Sequence, residues 1–291
     1  MTSTPSKIAI TGASGQLGRL VIDALLKTIP ASQIVATVRN LEKAQDLVAK
    51  GIEVRVADYD RPETLEPAFQ GVEKLLLISS STVGERVPQH QAVIEAARRA
   101  GIKLLAYTSL LHADRSPLGL AEEHRHTEAA LKESGVPYVL LRNGWYAENY
   151  TVSIPVALQH NAFLGSAGEG RISWASRADY AEAAAAALIA EADQAGRVYE
   201  LAGDQAYTLS ELAAEIARQS GQPVVYNDMP EDAYQAVLVG AGLPEGLAAM
   251  LADSDIGVSK GGLFGEGGQI SALTGHPTIS LEKSVAQARK A

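Results

Sequence analysis

Short apolar runs alternate along this chain with longer segments in which apolar residues recur at helical spacing. The runs are rich in Val, Ile and Leu, as in strands that are buried on both faces of a sheet. They cover residues 7–11, 34–39, 53–58, 74–79, 104–109, 138–143 and 198–202. The helical segments 41–51 and 89–101 each end on a glycine, which is a common C-terminal stop. This repeated order predicts an α/β fold with a doubly wound parallel sheet.

The pattern changes after residue 150. Residues 151–173 contain a proline, several glycines and no clean period, which predicts an irregular excursion from the sheet. From Thr208 a helix is predicted by the capping box that Thr208 forms with Glu211, and further helices are predicted to start near Pro230 and Ser280. We therefore predict two domains. One is the core, and the other is a smaller, mostly helical C-terminal lobe. The core takes residues 1–150 and about 175–203, and the lobe takes 151–174 and 204–291.

Composition narrows the function classes. The 291 residues are 46% hydrophobic and 20% charged, and the formal net charge of -9 disfavours nucleic acid and anionic membrane surfaces as partners. The absence of cysteine excludes disulfides, thiolate catalysis and Cys-ligated metals, and the six histidines form no metal-binding motif. The start MTSTPSK is short and polar, and no run approaches 18 apolar residues. We expect a cytoplasmic protein with no membrane span and no metal.

A glycine-bearing turn stands between the first predicted strand and the first helix. Gly12, Gly15 and Gly18 have the spacing GxxGxxG, and the helix QLGRLVIDALLK follows. Glycines at this junction let the chain turn sharply and let a diphosphate approach the free amides of a helix N-terminus. Although an ordinary tight turn is the alternative, the position between strand and helix favours a dinucleotide-binding, Rossmann-type core.

Three further positions at predicted strand ends are candidates for cofactor contact. Arg39 lies 21 residues after Gly18, where an acidic residue would bind the ribose of NAD and an arginine accommodates the 2′-phosphate of NADP. Arg39 therefore favours NADP, unless it is simply a solvated surface residue. Asp58 ends the third run and is predicted either to face the adenine or to cap a loop. Ser79, Ser80 and Ser81 follow the fourth run and either contact the cofactor or cap the next segment.

Several segments together resemble a known family. They are the glycine turn, LLLISSS at 75–81, YTSLLHADRSPLGLAEEH at 107–124, LRNGWYAENY at 141–150, DSDIGVSKGGLF at 253–264 and TGHPT at 274–278. With them the sequence is similar, nearly from end to end, to the atypical short-chain dehydrogenases of the NmrA-like group, and within it to bacterial NAD(P)H:quinone oxidoreductases. The resemblance implies an extended Rossmann core, NADPH as hydride donor, quinones as acceptors and a C-terminal lobe on the substrate side.

The resemblance also assigns roles by position. It implies a phosphate loop that comprises Gly12, Ala13, Ser14, Gly15, Gln16 and Leu17, a 2′-phosphate contact at Arg39, and a ribose contact near 79–81. The segment that borders nicotinamide and acceptor is implied to comprise Asn143, Gly144, Trp145, Tyr146, Ala147 and Glu148. Asn143 and Gly144 can offer amide and backbone hydrogen bonds. The two aromatic residues can supply flat surfaces, with core packing as the alternative.

One departure from the group's wider pattern concerns proton transfer. Short-chain dehydrogenases typically carry Tyr-x-x-x-Lys, but none of the ten tyrosines here has a lysine four residues later. The corresponding helix contains His124 and Glu128, which are spaced i, i+4 on one helical face. A quinone is already a strong electrophile, so positioning of donor and acceptor matters more than a dedicated acid. The proton is expected from water or from a histidine, with His124 and His112 as candidates and surface or capping roles as their alternative.

These features lead to one main function hypothesis and three alternatives. The main hypothesis is an NADPH-dependent oxidoreductase that transfers a hydride to quinones, with Asn143 and His124 as catalytic residues. The first alternative is an NADP(H)-binding redox sensor of the NmrA type without turnover, and the second is a reductase of other conjugated electrophiles such as dyes. A nucleotide-sugar epimerase is ranked last, because it would need the missing tyrosine and lysine. The expected partner is a small-molecule quinone, and a homo-oligomer is left open.

Overall fold

Nine strands form two sheets in the computed structural model, which describes residues 6–290. The strands are β1 (Ile8–Ile10), β2 (Ile34–Val38), β3 (Glu53–Val56), β4 (Lys74–Leu77), β5 (Leu104–Leu110), β6 (Tyr138–Asn143), β7 (Ala162–Gly165), β8 (Val198–Leu201) and β9 (Val225–Asp228). Each of the seven predicted runs coincides with one strand, and only β5 extends beyond its run, by one residue. Residues 1–5, which are part of the start predicted to lack a signal segment, lie outside the described residues.

The larger sheet has seven strands in the order β3-β2-β1-β4-β5-β6-β8. Strand β1 pairs in parallel with both β2 and β4, and Ile10 is aligned with Ala36 on one side and Leu76 on the other. The chain builds outward from β1 in one direction and then continues from β4 in the other, so a topological switch point lies between β1 and β4. The predicted fold class, a Rossmann-type doubly wound parallel sheet, is confirmed.

Helices connect the strands and cover the sheet. They are α1 (Gln16–Leu26), α2 (Gln45–Ala49), α3 (Leu65–Phe69), α4 (Arg86–Ala100), α5 (Ala121–Ser134), α6 (Glu148–Thr151), α7 (Ile154–His160), α8 (Arg177–Ile189), α9 (Leu209–Ser220), α10 (Glu231–Gly240), α11 (Glu245–Ser259), α12 (Gln269–Thr274) and α13 (Leu281–Ala288). As predicted, α4 ends at Gly101, whose φ of 71° satisfies the left-handed helix cap. Across the described chain, no helix combines the length and the apolar character that crossing a bilayer requires.

The described chain divides into two compact units. The first comprises the residues up to Leu110 together with Glu123–Arg142 and Tyr180–Tyr199, and the second comprises Leu111–Glu122, Asn143–Asp179 and the residues from Glu200 onward. A core of buried side chains from β1, β2, β4, β5 and the helices beside them, including Phe69 and Tyr107, fills the first unit. These units divide the chain at other points than the predicted domains, and the assignment of a lobe to the substrate side stays a prediction.

The prediction for residues 151–173 is half right: the stretch does leave the seven-stranded sheet, but it is not irregular. This stretch contains the end of α6, the helix α7 and the strand β7, which pairs in parallel with β9. Pro155 stands in the first turn of α7, where a proline is tolerated, so it starts the helix rather than interrupting it. The strand was missed because four residues give too little alternation and because its partner lies about 60 residues later.

The predictions for the last third are confirmed where they rest on capping residues. Helix α9 begins after Thr208, whose side chain accepts a hydrogen bond from the Glu211 N–H while the Glu211 carboxylate accepts one from the Thr208 N–H. Pro230 and Ser280 stand directly before α10 and α13. The starts at Thr208 and Ser280 were predictable because a helix cap is a contact between residues three positions apart, whereas Pro230 makes no such contact.

Candidate functional site

A cleft of about 290 Å³ opens at the carboxyl ends of β1, β2, β3 and β4 in the first unit. This is the edge of an open α/β sheet at which ligands bind, next to the switch point. The cleft is lined by residues 12, 14–18, 38–39, 57–60, 78–82 and 89. The structure therefore brings together the predicted glycine turn, Arg39, Asp58 and the three serines. Ala13 is fully buried and is not among the lining residues.

The glycine turn requires glycine at Gly12 because of its backbone conformation and at Gly18 because of close contacts. Gly12 has a φ of 58°, in the left-handed region that favours glycine. A Cβ at Gly18 would lie 2.5 Å from the Gly12 carbonyl oxygen and 2.8 Å from the Ala13 Cα. The N-cap residue of α1 is Gly15, which has no side chain. No side-chain hydrogen bond therefore caps the first N–H groups of this helix. The positive end of the helix dipole is thus left open to an anion.

Arg19 connects this turn to the segment that follows β2. Its Nε donates a hydrogen bond of 3.1 Å to the Ser14 carbonyl, and its Nη2 donates one of 2.7 Å to the Lys43 carbonyl. Nη1 also forms an ion pair with Asp46. One guanidinium group therefore fixes the spacing between the glycine turn and the loop that carries Arg39, whose own side chain is exposed.

A hydroxyl network joins the ends of β1, β3 and β4. The Thr11 Oγ1 donates to the Leu76 carbonyl over 3.0 Å and accepts from the Ile78 N–H over 2.9 Å. The Tyr59 hydroxyl lies 2.5 Å from this Oγ1 and 3.0 Å from the Ile78 carbonyl. Burial raises the pKa of Tyr59, so the phenol stays protonated and can donate. The network holds the cleft floor in one conformation.

Asp58 lies at the cleft and also stabilises the turn in which it stands. It lines the cleft, and its Oδ1 accepts a hydrogen bond of 3.2 Å from the Asp60 N–H, which stabilises the turn after β3. The main-chain N–H of Asp58 donates to the Thr64 Oγ1 over 2.9 Å. The carboxylate is thus oriented by its own turn. A contact with the adenine stays a prediction.

His124 and Glu128 lie on α5 and have separate partners. The His124 ring is buried, and its Nδ1 lies 2.8 Å from the Tyr107 hydroxyl. Burial, together with the charge of Arg86, lowers the pKa of His124 well below its usual range, so the ring is neutral at neutral pH. His124 is not among the residues that line the cleft. Its catalytic role stays a prediction.

Glu128 lies one helical turn after His124 on α5, and it forms a buried ion pair. Its carboxylate accepts hydrogen bonds of 2.9 and 2.7 Å from Arg142 and one of 2.6 Å from the Ser109 hydroxyl. The side chains of Arg142 and Glu128 are only 9% and 4% exposed. Two-point pairing of this kind compensates a buried charge. The Glu128 carboxylate is thus engaged in contacts that stabilise the first unit.

The predicted segment 143–148 lies in the second unit, and much of it is engaged in local contacts. The Gly144 N–H donates to the Leu201 carbonyl over 2.9 Å, and the Ala147 N–H donates to the Ala175 carbonyl over 2.9 Å. Glu148 accepts hydrogen bonds from the main-chain N–H at the start of α8. Trp145 is buried. These contacts fix the segment, and its predicted role beside nicotinamide and acceptor stays a prediction.

One side-chain atom of this segment lacks a hydrogen-bond partner, and one ring is partly exposed. The Asn143 side chain is only 5% exposed, and its Oδ1 has no hydrogen-bond partner within residues 6–290. A buried amide oxygen without a partner is costly, so it is a candidate for binding a ligand. The Tyr146 ring is partly exposed and carries the Arg177 guanidinium 4.6 Å above its centre.

His112, the other histidine proposed as a proton source, lies two residues after the end of β5 in a strained backbone conformation. Its φ is 51°, which is uncommon for a residue with a side chain. Its N–H donates to Glu200 Oε2 over 2.8 Å, and its Nδ1 lies 3.4 Å from the same oxygen. The carboxylate therefore holds both the main chain and the ring.

The second unit also contains a buried carboxyl group that the sequence did not reveal. Asp255 on α11 accepts hydrogen bonds of 2.9 Å from the Tyr150 hydroxyl and from the Ser166 N–H. Its side chain has no basic partner in these contacts, and burial raises its pKa to about 6. No local pattern marks this residue, because its two partners are 105 and 89 residues away in the chain.

Sequence reasoning missed several residues that shape the cleft, among them Thr11, Arg19, Tyr59 and His90. Two weak signals exist, since Thr11 directly precedes Gly12 and Tyr59 directly follows Asp58. Within residues 6–290, no group of three or more His, Asp or Glu side chains is arranged to hold a metal ion.

Comparison with known proteins assigns the chain to a family. The sequence profile of the NmrA-like family matches residues 4–288. Quinone oxidoreductase 2 of Escherichia coli (strain K12) is 62% identical over 278 residues, which cover 96% of this chain and 97% of that protein.

Two solved structures place this similarity in three dimensions. The crystal structure of the NADPH-dependent quinone oxidoreductase QOR2 from Escherichia coli, complexed with NADPH, matches with a TM-score of 0.94 at 61% identity and covers 96% of this chain and 99% of that chain. The triphenylmethane reductase of Citrobacter sp., complexed with NADP(H), matches with a TM-score of 0.93 at 39% identity and covers 97% and 100%. The chain belongs to the NmrA-like family.

Proposed function

We propose that this protein is an NADPH-dependent oxidoreductase that transfers a hydride to quinones. One observation carries the proposal. A cleft formed by a glycine turn and Arg39 occurs in a chain that is 62% identical, over 96% of its length, to a quinone oxidoreductase of Escherichia coli. The cleft supports NADPH as the cofactor, and the similarity supports a quinone as the acceptor.

The diphosphate of the cofactor is proposed to bind at the glycine turn. The residues fit this group, because Gly18 keeps α1 close to the turn and the uncapped N-terminus of α1 presents its N–H groups and the positive end of its dipole. Arg39 is proposed to bind the 2′-phosphate of NADP, since its exposed guanidinium ends β2 at the cleft. Asp58 and the turn at 79–81 are proposed to border the adenosine.

The reaction adds one hydride and one proton to a quinone and yields a hydroquinone. NADPH, when bound, supplies the hydride from its nicotinamide ring. Asn143 is proposed to orient a bound ring, because its buried Oδ1 lacks a partner within residues 6–290. Trp145 and Tyr146 are proposed to limit the position of the ring.

His124 is proposed to assist the developing hydroquinone oxygen by hydrogen bonding. Its ring is neutral at neutral pH because burial lowers its pKa, so it holds no extra proton to deliver. Water is therefore the proposed source of the proton, and the strained His112 beside Glu200 is the second candidate.

The test is an oxidation assay with purified protein, NADPH and a panel of benzoquinones and naphthoquinones. The loss of reduced-nicotinamide absorbance should depend on the acceptor and continue through many turnovers. Asn143→Ala should slow turnover while its circular dichroism spectrum stays that of the wild type. If no quinone in the panel accelerates NADPH oxidation, the proposal fails.

The same assay separates the sensor alternative. A redox sensor would bind NADP(H) and discriminate its oxidised and reduced forms without multiple turnover. The structure of Nmra, a negative transcriptional regulator, matches at 16% identity with a TM-score of 0.78, a likeness that concerns the fold alone. Acceptor-dependent turnover would exclude a sensor that works by binding only.

Conjugated dyes are a second proposed class of acceptor. The observation that favours them is the 38% identity to the triphenylmethane reductase of Citrobacter sp. over 98% of this chain, with a TM-score of 0.93. A cationic triarylmethane dye, like a quinone, takes up a hydride at an electron-poor carbon. Bleaching of such a dye with NADPH would extend the acceptor range, and competition by a quinone would show that both use one site.

Location and assembly stay proposals. The net charge of -9 makes nucleic acid an unexpected partner, and we propose a cytoplasmic enzyme that acts on a small molecule. A homo-oligomer stays a prediction that light scattering of the purified protein can test.

A further inference from the structure

The turn that follows β4 forms one wall of the cleft, and buried side chains hold its main chain. The Ser79 N–H donates a hydrogen bond of 2.8 Å to the Thr108 Oγ1, and the Ser80 N–H donates one of 3.0 Å to the His90 Nε2. In addition, the Arg86 Nε donates a hydrogen bond of 2.6 Å to the Ser80 carbonyl. Three successive polar groups of the turn are thus bound by side chains from β5 and α4.

The side chains that hold the turn are themselves shielded from water. His90 is fully buried, and Thr108 and Arg86 are 4% and 8% exposed. None of these three lines the cleft, whereas Ser79 and Ser80 do. The three residues therefore act on the cleft only through the turn. In such a buried place each hydrogen bond is protected from competition by solvent.

His90 can accept the Ser80 hydrogen bond in only one protonation state. Since Nε2 is the acceptor, the proton of the neutral ring is on Nδ1, which lies 2.9 Å from the Thr127 Oγ1. The Thr127 hydroxyl donates its own proton to the Glu123 carbonyl over 2.9 Å, so its oxygen is free to accept from His90. Burial and the neighbouring Arg86 also lower the pKa of His90 to about 3, which keeps the ring neutral.

We propose that His90 is a positioning residue for the dinucleotide: its neutral imidazole, together with the Thr108 hydroxyl, fixes the 79–82 turn in the conformation that receives the cofactor. The inference rests on the proposed NADPH site. A turn with two tethered amides loses less conformational freedom when a ligand binds than a free turn does, so affinity rises without any direct contact from His90.

The tethers predict a specific kinetic signature. The turn contacts the cofactor in the ground state and in the transition state alike, so loosening it should raise KM for NADPH and leave kcat nearly unchanged. His90→Phe keeps an aromatic ring and removes the acceptor for Ser80. His90→Gln places an amide oxygen near the position of Nε2 and should restore the hydrogen bond.

Thr108 supplies an independent pair of variants for the neighbouring amide. Thr108→Val keeps the shape and removes the acceptor for Ser79, whereas Thr108→Ser keeps the hydroxyl. These variants keep the inference testable if the loss of His90 impairs folding. Thermal unfolding of all four proteins shows which of them are folded before any binding is compared.

The experiment is a titration of each folded variant with NADPH, followed by steady-state kinetics with a benzoquinone. We expect His90→Phe and Thr108→Val to weaken NADPH binding about tenfold, the effect of one lost buried hydrogen bond, with kcat within about twofold of wild type. His90→Gln and Thr108→Ser should bind within about threefold of wild type. Hydrogen exchange should show faster exchange of the amides of the turn in the first two variants only.

Three outcomes would overturn the inference. His90→Phe and Thr108→Val could bind NADPH as tightly as wild type, or the rescuing variants could lose as much affinity as the disruptive ones. A fall in kcat with an unchanged KM would also contradict a role in cofactor binding. Failure of wild type itself to bind NADPH would instead overturn the proposed function, and the inference with it.

Discussion

The first unit and the second unit both bury polar groups, but they differ in how the buried charges are compensated. In the first unit, the buried polar groups described above are neutral or paired. His90 is a neutral ring, Thr11 and Thr108 are hydroxyls, and Glu128 is bound at two points by Arg142. In the second unit, Asp255 is buried among hydroxyl and amide donors without a basic partner in those contacts.

This difference has an energetic consequence. A compensated pair resists removal of either partner, since the remaining charge would lose its counterpart in a buried place. A carboxyl that is held only by neutral donors is easier to protonate than to keep charged, which raises its pKa. Replacing the buried acid should therefore lower the free energy of unfolding in the first unit and raise it in the second. Four variants test this comparison.

The largest effect is expected at the compensated pair. Glu128→Ala removes both hydrogen bonds that Arg142 donates to this carboxylate and should lower the free energy of unfolding by about 3 to 5 kcal/mol. Urea unfolding monitored by circular dichroism measures this loss. The matched control is Glu66→Ala, at the exposed ion pair with Arg99, for which less than about 1 kcal/mol is expected. Equal losses at the two positions would contradict the view of a structural Glu128.

Replacing Asp255 is expected to raise the free energy of unfolding. A carboxyl pKa that folding raises from 3.8 to about 6 favours folding in the protonated form, and this contribution is lost as the pH rises from about 4 through 6. Asp255→Asn should therefore match wild type near pH 4 and exceed its stability by about 3 kcal/mol at pH 8. The amide preserves the contacts if its oxygen accepts from the Ser166 N–H and its nitrogen donates to the Tyr150 hydroxyl.

Urea unfolding at several pH values measures this difference. Asp23→Asn, at an exposed ion pair with Lys50, is the control and should change stability by less than about 1 kcal/mol at every pH. A variant at position 255 that is less stable than wild type at pH 8 would show that the ionised carboxylate has a partner that compensates its charge.

The two regions also differ in how much of them the sequence reveals. The glycine turn was predictable because Gly12, Gly15 and Gly18 stand directly between a predicted strand and a predicted helix, and this position supports what their spacing alone leaves open. Arg39 was predictable because the length of one strand–helix–strand unit is nearly fixed. The hydroxyl network of the cleft floor was not predictable, since Thr11 and Tyr59 are 48 residues apart and meet only after the sheet has formed.

In the second unit, only contacts within one helical turn were predictable. The capping box of Thr208 and Glu211 is such a contact, and it is present. The pairing of β7 with β9 and the partners of Asp255 depend on which distant segments pack together, and no local period encodes that. The tertiary structure decides both, which is why a single sequence revealed the cleft more fully than it revealed the second unit.

A smaller effect is expected at the charged end of the cleft. Arg39→Ala should weaken NADPH binding by about 1.5 to 3 kcal/mol while NADH binding changes little, because NADH has no 2′-phosphate for the guanidinium to bind. Titration with both dinucleotides measures the two losses. Arg61→Ala is the control, since Arg61 is exposed and is not among the lining residues. Equal losses for NADPH and NADH would place the phosphate contact at another residue.

The smallest effect is expected at Thr208, and it tests whether the second unit depends on local signals as well as on distant contacts. Thr208→Ala removes the acceptor for the Glu211 N–H at the start of α9 and should cost about 1 kcal/mol of unfolding free energy. Thr208→Ser keeps the oxygen and should cost only a few tenths of that. Because the threonine hydroxyl itself does not titrate, the loss should be the same at pH 4 and at pH 8, in contrast to Asp255→Asn. A loss at Thr208 that grows with pH would mean that the Glu211 carboxylate, and not the threonine hydroxyl, provides most of the cap.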